Sequence, residues 1–392
     1  MAEPVTLFWL NSFSLIFLLI TSVILLRNRI EFTSLRSYDN PAAAPLKISV
    51  CIPARNEELI IARVLTSVCE QDYPDFELLV LDDYSTDRTP ELIESVQHTY
   101  PNLITNVPAS EKPTDWLGKP WACQQLADRA TGDLILFADA DTRFYPDMLQ
   151  QIANAFHEYQ LDVITVWPQQ EMKSFWEKMI VPLIYYALLT LLPAVYVYRP
   201  PRWLPANLRK KITPQFAAAC GQCIGFRSDA YHRIGGHEPV KDCVVEDVEL
   251  AKHAKIKGLT LRMFNGIGSI SCRMYRSEQE IFNGLRKNFF AGFRRSVSLF
   301  VTMAVLHLIV FVLPFILLPY SLYFGYPILV FLSITSITII YLHRYILARW
   351  FNWDPVYGCL HPLAVLWFQR LALVSLVDYF SGRKVKWKDR EI

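Results

Sequence analysis

The chain sorts its apolar residues into runs of two lengths. Phe8 to Leu26, Leu299 to Tyr320, Tyr323 to Leu342 and Val356 to Tyr379 are long enough to cross a bilayer, which takes about 20 residues. The last carries His361-Pro362 and Arg370 and is the weakest of the four. From Lys47 to about Trp167 the apolar runs are short and alternate with stretches of helical spacing. Lys47 to Pro53, Phe76 to Leu81, Leu134 to Ala138 and Asp162 to Trp167 read as strands. Glu57 to Glu70 has helical spacing at Ile60, Ile61, Val64, Leu65 and Val68. Pro90 fits the first turn of a helix reaching about Thr99, Lys119 to Ala130 forms another, and Pro146 opens a third. This alternation predicts an α/β fold with a mainly parallel sheet covered on both faces, whose ligands bind beyond the C-terminal strand ends.

Trp176 to Tyr198 is apolar and aromatic but is interrupted by Pro182 and Pro193. It reads as a membrane-surface element, with a buried helix pair an equal alternative. Positive charge collects on the cytoplasmic side of a membrane. Arg27 and Arg29 place the central region there, as do Arg286, Lys287, Arg294 and Arg295, and then His343, Arg344 and Arg349. The tail Arg383-Lys384-Val385-Lys386-Trp387-Lys388 agrees if the last apolar segment is re-entrant or interfacial, the preferred reading. No small-residue cleavage site is evident after the first run, so it is expected to be an uncleaved anchor. The expected organisation is an anchor over 1–30, a soluble domain over 45–295 with an interfacial segment at about 176–198, membrane segments over 297–380 and a basic tail over 381–392.

Composition agrees with membrane segments: 52% of the 392 residues are hydrophobic and only 19% charged. A net charge of +2 gives no case for nucleic acid. The eight cysteines are scattered, and Cys220-Gly-Gln-Cys223 is a lone pair without a second pair or a His at ligand spacing, so neither zinc nor redox work is expected of it.

The candidate chemistry lies at the strand ends. Pro53, Asp82-Asp83 and Asp139-Ala140-Asp141 all fall there. A buried strand rarely ends in two carboxylates unless a cation holds them, because an unpaired buried charge is expensive. The i, i+2 spacing lets Asp139 and Asp141 reach one hard cation, Mg²⁺ or Mn²⁺, and such a metal can hold a diphosphate. No Gly-x-Gly-x-x-Gly follows the first strand and no Gly-x-x-x-x-Gly-Lys-Ser/Thr occurs, so phosphate handling must rest on metal and side chains.

Ile52-Pro53-Ala54-Arg55-Asn56-Glu57, Val80-Leu81-Asp82-Asp83-Tyr84-Ser85-Thr86-Asp87, Asp139-Ala-Asp141 and Glu246-Asp247, in this order and spacing, resemble family 2 glycosyltransferases of the GT-A (Rossmann-like) fold, over about residues 47 to 290. Gly118-Lys119-Pro-Trp121-Ala122, Gly235-Gly236-His237 and the flanking apolar runs resemble the membrane-bound branch that acts on lipids, with carotenoid, hopanoid-associated and, more distantly, ceramide enzymes. The resemblance implies that Pro53, Arg55 and Glu57 border the nucleotide, that Asp83 bonds the base with Asp82 beside it, and that Lys119 approaches the nucleotide or its phosphates. It implies that Asp139 contacts the ribose or the metal, that Asp141 ligates the metal, and that Asp247 is the general base of a single, inverting displacement. His237 is either a metal ligand or a loop cap. Lys119 and Glu246-Asp247 also have the plain reading of helix-terminal charges.

The Gln-x-x-Arg-Trp of processive synthases corresponds here to Asn283-Gly284-Leu285-Arg286-Lys287, where only the Arg matches. Arg286 either stabilises the diphosphate or sits at the headgroup level. The implied activity is transfer of a sugar from a nucleotide-diphosphate donor, a UDP-sugar first, to a hydroxyl of a membrane lipid such as a hydroxylated carotenoid. It would run in an integral membrane protein whose catalytic domain faces the cytoplasm. The alternatives are a ceramide or glycerolipid glucosyltransferase, a polysaccharide synthase and a silent scaffold.

Overall fold

The computed structural model describes residues 4–35, 45–293, 296–383, 386–387 and 390–391. Arg294, Arg295, Lys384, Val385 and Lys388, which bear on the charge argument, lie outside the described residues. The chain divides into two compact units, one of Glu31–Glu171 with Ala194–Met274 and one of Met1–Ile30, Met172–Pro193 and Tyr275–Ile392.

The first unit is built on an eight-stranded sheet. Its strands are β1 (Ile48–Ala54), β2 (Phe76–Asp82), β3 (Ile104–Asn106), β4 (Leu134–Ala138), β5 (Thr142–Phe144), β6 (Val163–Gln170), β7 (Cys223–Arg227) and β8 (Leu261–Cys272), in the order β3-β2-β1-β4-β7-β6-β8-β5. The sheet is mixed rather than mainly parallel in one run: β7 lies antiparallel to both β4 and β6, and β5 is antiparallel to β8. β1 pairs in parallel with β2 on one side and β4 on the other, so Ala54, Asp82 and Ala138 end on one edge. All five residues of β4 are buried, as are Ile48, Val50 and Ile52 of β1, which pack with Ile61, Val64, Leu65 and Val68 of the helix Ile61–Cys69. Each such side chain contributes about 1.5–3 kcal/mol on burial. The helices Thr89–Thr99, Gly118–Ala127 and Met148–Glu158 complete the alternation, and Glu246–Ile256 follows β7.

In the second unit, among the described residues, three helices are long and apolar enough to cross a membrane: Val5–Glu31, Pro327–Trp350 and the stretch Pro355–Ser381. The run expected over Leu299 to Tyr320 is broken into Val297–Phe311 and Leu313–Phe324, bent by 43°. Pro314 sits in the first turn after the break, where its missing N–H costs nothing.

The first two of these helices, Val5–Glu31 and Pro327–Trp350, run parallel along their length. Asn11 Nδ2 donates to Ser333 Oγ at 2.8 Å, Ser22 Oγ meets His343 Nε2 at 2.7 Å, and the Arg29 guanidinium lies 4.8 Å from the Trp350 ring centre. His343 and Arg344, expected among the positive charges on the cytoplasmic side, are buried among helices. The helix Phe175–Leu191 runs through Pro182 and belongs to this unit's interior. Asn28 Nδ2 donates to Leu189 O at 2.9 Å, and Tyr186 meets His343 and Phe311. Ten of the seventeen residues of this helix are buried within the unit, while Phe175, Trp176 and Leu191 are exposed.

Candidate active site

Two loops at the ends of β1 and β2 are stitched together. Asp83 N donates to Ala54 O at 2.8 Å. Arg55 Nη1 donates to Asp83 O at 2.5 Å and to Tyr84 O at 3.0 Å, so this guanidinium holds the acidic turn by its backbone. Asn56 and Tyr84 both adopt left-handed backbone, with φ of 51° and 56°, which a non-glycine residue keeps only where its surroundings over-determine it. Here they do. Asn56 N donates to Ser85 Oγ at 2.8 Å, Thr86 N donates to Asn56 Oδ1 at 2.8 Å, and Glu57 N donates to Thr89 Oγ1 at 2.7 Å. Asp82 Oδ2 accepts from Ser85 N at 3.1 Å, whereas its buried Oδ1 has no hydrogen-bond partner. Pro53, Arg55, Glu57, Asp82 and Asp83 are thus brought to one strand-end surface.

The second half of the site gathers at the end of β4. Thr142 donates to Asp139 O through its amide at 3.2 Å and its hydroxyl at 2.8 Å, closing the turn Asp139-Ala140-Asp141-Thr142. Lys119, in the first turn of Gly118–Ala127, places Nζ 2.7 Å from Asp139 Oδ1 and 3.0 Å from Glu246 Oε1. Burial works against its charge, but the two carboxylates overcome that and hold the ammonium well above its ordinary pKa. Asp247 follows Glu246 at the start of Glu246–Ile256. Its Oδ2 accepts from Gly221 N at 2.6 Å and its Oδ1 from Val248 N at 2.8 Å. Burial, and then the neighbouring Glu246, push the Asp247 carboxyl up to about 6, against Lys119 and the two backbone donors. That value suits a proton acceptor near neutral pH.

Sequence reasoning missed the residues that fix this geometry. Cys220-Gly221-Gln222-Cys223 is neither a disulfide nor part of a metal cluster among the described residues. It is the turn into β7 that offers the Gly221 amide to Asp247, and Gln222 O accepts from Asp139 N at 3.4 Å. A Cβ on Gly221 would stand 3.1 Å from Lys119 Nζ and 3.2 Å from Asp247 Oδ2. The signal was the glycine between the cysteines. Gly221→Ala is expected to displace one or both charged groups and lower kcat by about 10-fold or more, on the scale set by small misplacements of reacting groups, with little change in thermal stability. Steady-state kinetics beside a melting curve check this. Cys272 of β8, also missed, hydrogen-bonds the Asp141 carboxylate, and burial first and that carboxylate second raise its thiol pKa.

Two expected residues have other partners. His237 is 2% exposed, its Nδ1 meets the Tyr231 hydroxyl at 2.6 Å and its ring packs 4.9 Å from Phe137. Burial lowers its pKa to about 3, which keeps it neutral. It is a core histidine in the 235–237 turn, and among the described residues it joins no group of three ligands. Arg286 belongs to the second unit, where its Nε and Nη2 each lie 2.5 Å from a carboxylate oxygen of Asp378. That fork is a structural pair between the helices Glu278–Phe289 and His361–Ser381.

Asp139 and Asp141 offer hard oxygen donors of the kind Mg²⁺ and Mn²⁺ take, and no third His, Cys, Asp or Glu joins them among the described residues. The pair fits a cation that fills its remaining positions with phosphate oxygens and water, and does not fit a self-sufficient metal cage.

An eight-stranded α/β sheet with stitched acidic loops, an Asp-x-Asp turn and a separate half-buried carboxylate, Asp247, at one edge is the arrangement of the GT-A fold. Residues 49–235 match the family described as Glycosyl transferase family 2; the chain carries a domain of that family and is a glycosyltransferase. The match ends before Glu246 and Asp247. The 4,4'-diaponeurosporenoate glycosyltransferase of Staphylococcus aureus (strain USA300) is 26% identical over 355 residues, 88% of each chain. The mannosyltransferase PcManGT from Pyrobaculum calidifontis, solved in complex with GDP-Man and Mn²⁺, shares the fold with a TM-score of 0.51 at 16% identity, over 96% of this chain and 100% of that one.

Proposed function

We propose that the protein is an inverting, divalent-metal-dependent glycosyltransferase that moves one sugar from a nucleotide-diphosphate donor to a membrane lipid. The observation that carries this reading is the joint placement of Lys119, Asp139, Glu246 and Asp247 around the Gly221 amide. Asp139 and Asp141 hold the metal with the donor's diphosphate. A bound divalent cation supplies charge stabilisation for the leaving diphosphate. Pro53, Arg55, Glu57, Asp82 and Asp83 border the base and ribose, with the second oxygen of Asp82 open to a donor. Lys119, which neutralises Asp139 without the nucleotide, turns its charge to the phosphates when they arrive. Asp247 takes the proton of the attacking hydroxyl, and a single displacement from one side inverts the anomeric carbon.

The acceptor is an apolar molecule with one polar end, because the same polypeptide carries helices built for a bilayer. A carotenoid is favoured by the Staphylococcus relative, whose name gives a carotenoid carboxylate as its substrate. The catalytic unit faces the cytoplasm. Arg27 and Arg29 end the first helix, and Arg349 ends its parallel partner, so these cations lie on one side.

The test is transfer by the purified full chain from UDP- and GDP-sugars to a lipid extract, with Mn²⁺ or with EDTA. A metal-dependent product carrying one sugar per lipid is expected. No transfer to any lipid, or a ladder of sugars, rejects the reading, the latter in favour of a polysaccharide synthase.

A further inference from the structure

The unit of long apolar helices encloses polar side chains that sugar transfer does not use. Arg344 and His361 are 5% and 1% exposed. Nη1 of Arg344 and both ring nitrogens of His361 have no hydrogen-bond partner. His343, the neighbour of Arg344 in sequence, is by contrast satisfied at both nitrogens, by Ser22 and by Tyr186. The Tyr186 ring lies 5.1 Å and the Phe311 ring 5.3 Å from His361. Gly358 lets the turn before His361 close on Arg344, since a Cβ there would stand 3.1 Å from the Arg344 Cβ. The groups acting electrostatically on His361 are Arg344, His307 and His343, with no carboxylate among them. Among the described residues the ion pairs Arg286–Asp378 and Arg370–Glu278 do not include Arg344.

A guanidinium does not escape burial by losing its proton. An uncompensated one is costly, and more so among helices facing lipid, where ionisable groups persist mainly for function. If Arg344 and His361 only packed, their polar atoms would be satisfied as those of His343 are. An open cationic donor and an unpartnered imidazole beside aromatic rings fit an anion on an apolar body. We infer that Arg344 and His361 form a binding site for the oxyanion head, carboxylate or phosphate, of a lipid-soluble molecule. Arg344 supplies the charge and a forked set of donors, His361 a further ring N–H, and Tyr186 and Phe311 the apolar wall. The site stands on this cluster alone and does not depend on the acceptor chosen above.

The full chain, purified in neutral detergent, is tested with laurate, methyl laurate and inorganic phosphate by thermal shift and by equilibrium binding of labelled laurate. Saturable laurate binding with a rise in Tm is expected, with the ester at least about tenfold weaker. Arg344→Met should lose the preference for the acid without a fall in its own ligand-free Tm, because an uncompensated charge has been removed. His361→Phe, which leaves Arg344 in place, should weaken laurate binding and covers the case in which Arg344→Met does not fold. Equal binding of acid and ester, or laurate binding unchanged in the folded variants, overturns the inference. Phosphate matching laurate would assign the site to a free oxyanion and reject the lipid source.

Discussion

Asp247→Asn is expected to lower kcat for a hydroxyl acceptor by about 10²–10⁴-fold, the usual worth of a general base, while donor affinity changes by less than about threefold. The asparagine oxygen can still accept from Gly221 N or Val248 N, so the loop and helix start are kept. What is lost is the capacity to take a proton. In the parent enzyme kcat/KM should fall about tenfold per unit as pH drops below about 6, where the Asp247 carboxyl becomes protonated. The variant's residual activity should show no such limb.

Stability moves the other way. The folded protein raises this acid from 3.8 to about 6 and so holds the proton more tightly than the unfolded chain. The contribution of Asp247 to stability therefore declines as pH rises through that window. Above it, Asp247→Asn should melt no lower than the parent. The size of the kinetic loss also discriminates between acceptors. A carboxylate acceptor, like the substrate named for the Staphylococcus relative, is already ionised, and Asp247→Asn would then cost less than about tenfold.

Arg286→Ala should destabilise the protein by about 3 kcal/mol, because it leaves the Asp378 carboxylate buried and unpaired. Asp378 is 5% exposed on a long apolar helix, where no other cation is shown pairing with it. Replacing both partners, Arg286→Met with Asp378→Leu, should recover most of the loss, since two apolar side chains fill the place of the fork. Melting curves of the single and double variants in detergent measure this. Donor KM of the double variant should equal that of the parent. A large rise in that KM with restored stability would return Arg286 to the diphosphate role implied by the family resemblance.

The strands ending at Ala54, Asp82 and Ala138 were legible because buried strands write themselves as short continuous apolar runs with turn residues after them. β7 and β8 were not read. β7 follows a glycine- and cysteine-rich turn and spans only Cys223–Arg227, and β8 mixes Asn265, Gly266, Gly268 and Ser269 into its length. Their place in the sheet comes from pairing with β4 and β6, which local pattern does not encode. Asp139 and Asp141 stood out because carboxylates at a strand end are conspicuous, and Asp247 was singled out through the family resemblance. Gly221 was passed over because its contribution is a backbone amide and the absence of a side chain. Arg286 and His237 were candidates on residue type alone, and their partners, Asp378 and Tyr231, lie 92 and 6 positions away.

By itself the sequence determined the class of fold, the presence of helices apolar enough to cross a membrane and the acidic chemistry of the strand ends, since these follow from local period and composition. Only the tertiary structure decided which charges meet. Lys119 lies between Asp139 and Glu246, Asp247 is tied to Gly221, Arg286 is spent on Asp378, and among the described residues no ion pair is shown for the buried Arg344. Charge interactions depend on distance and burial. Both are set by contacts between residues far apart in the chain, and no window of sequence contains them.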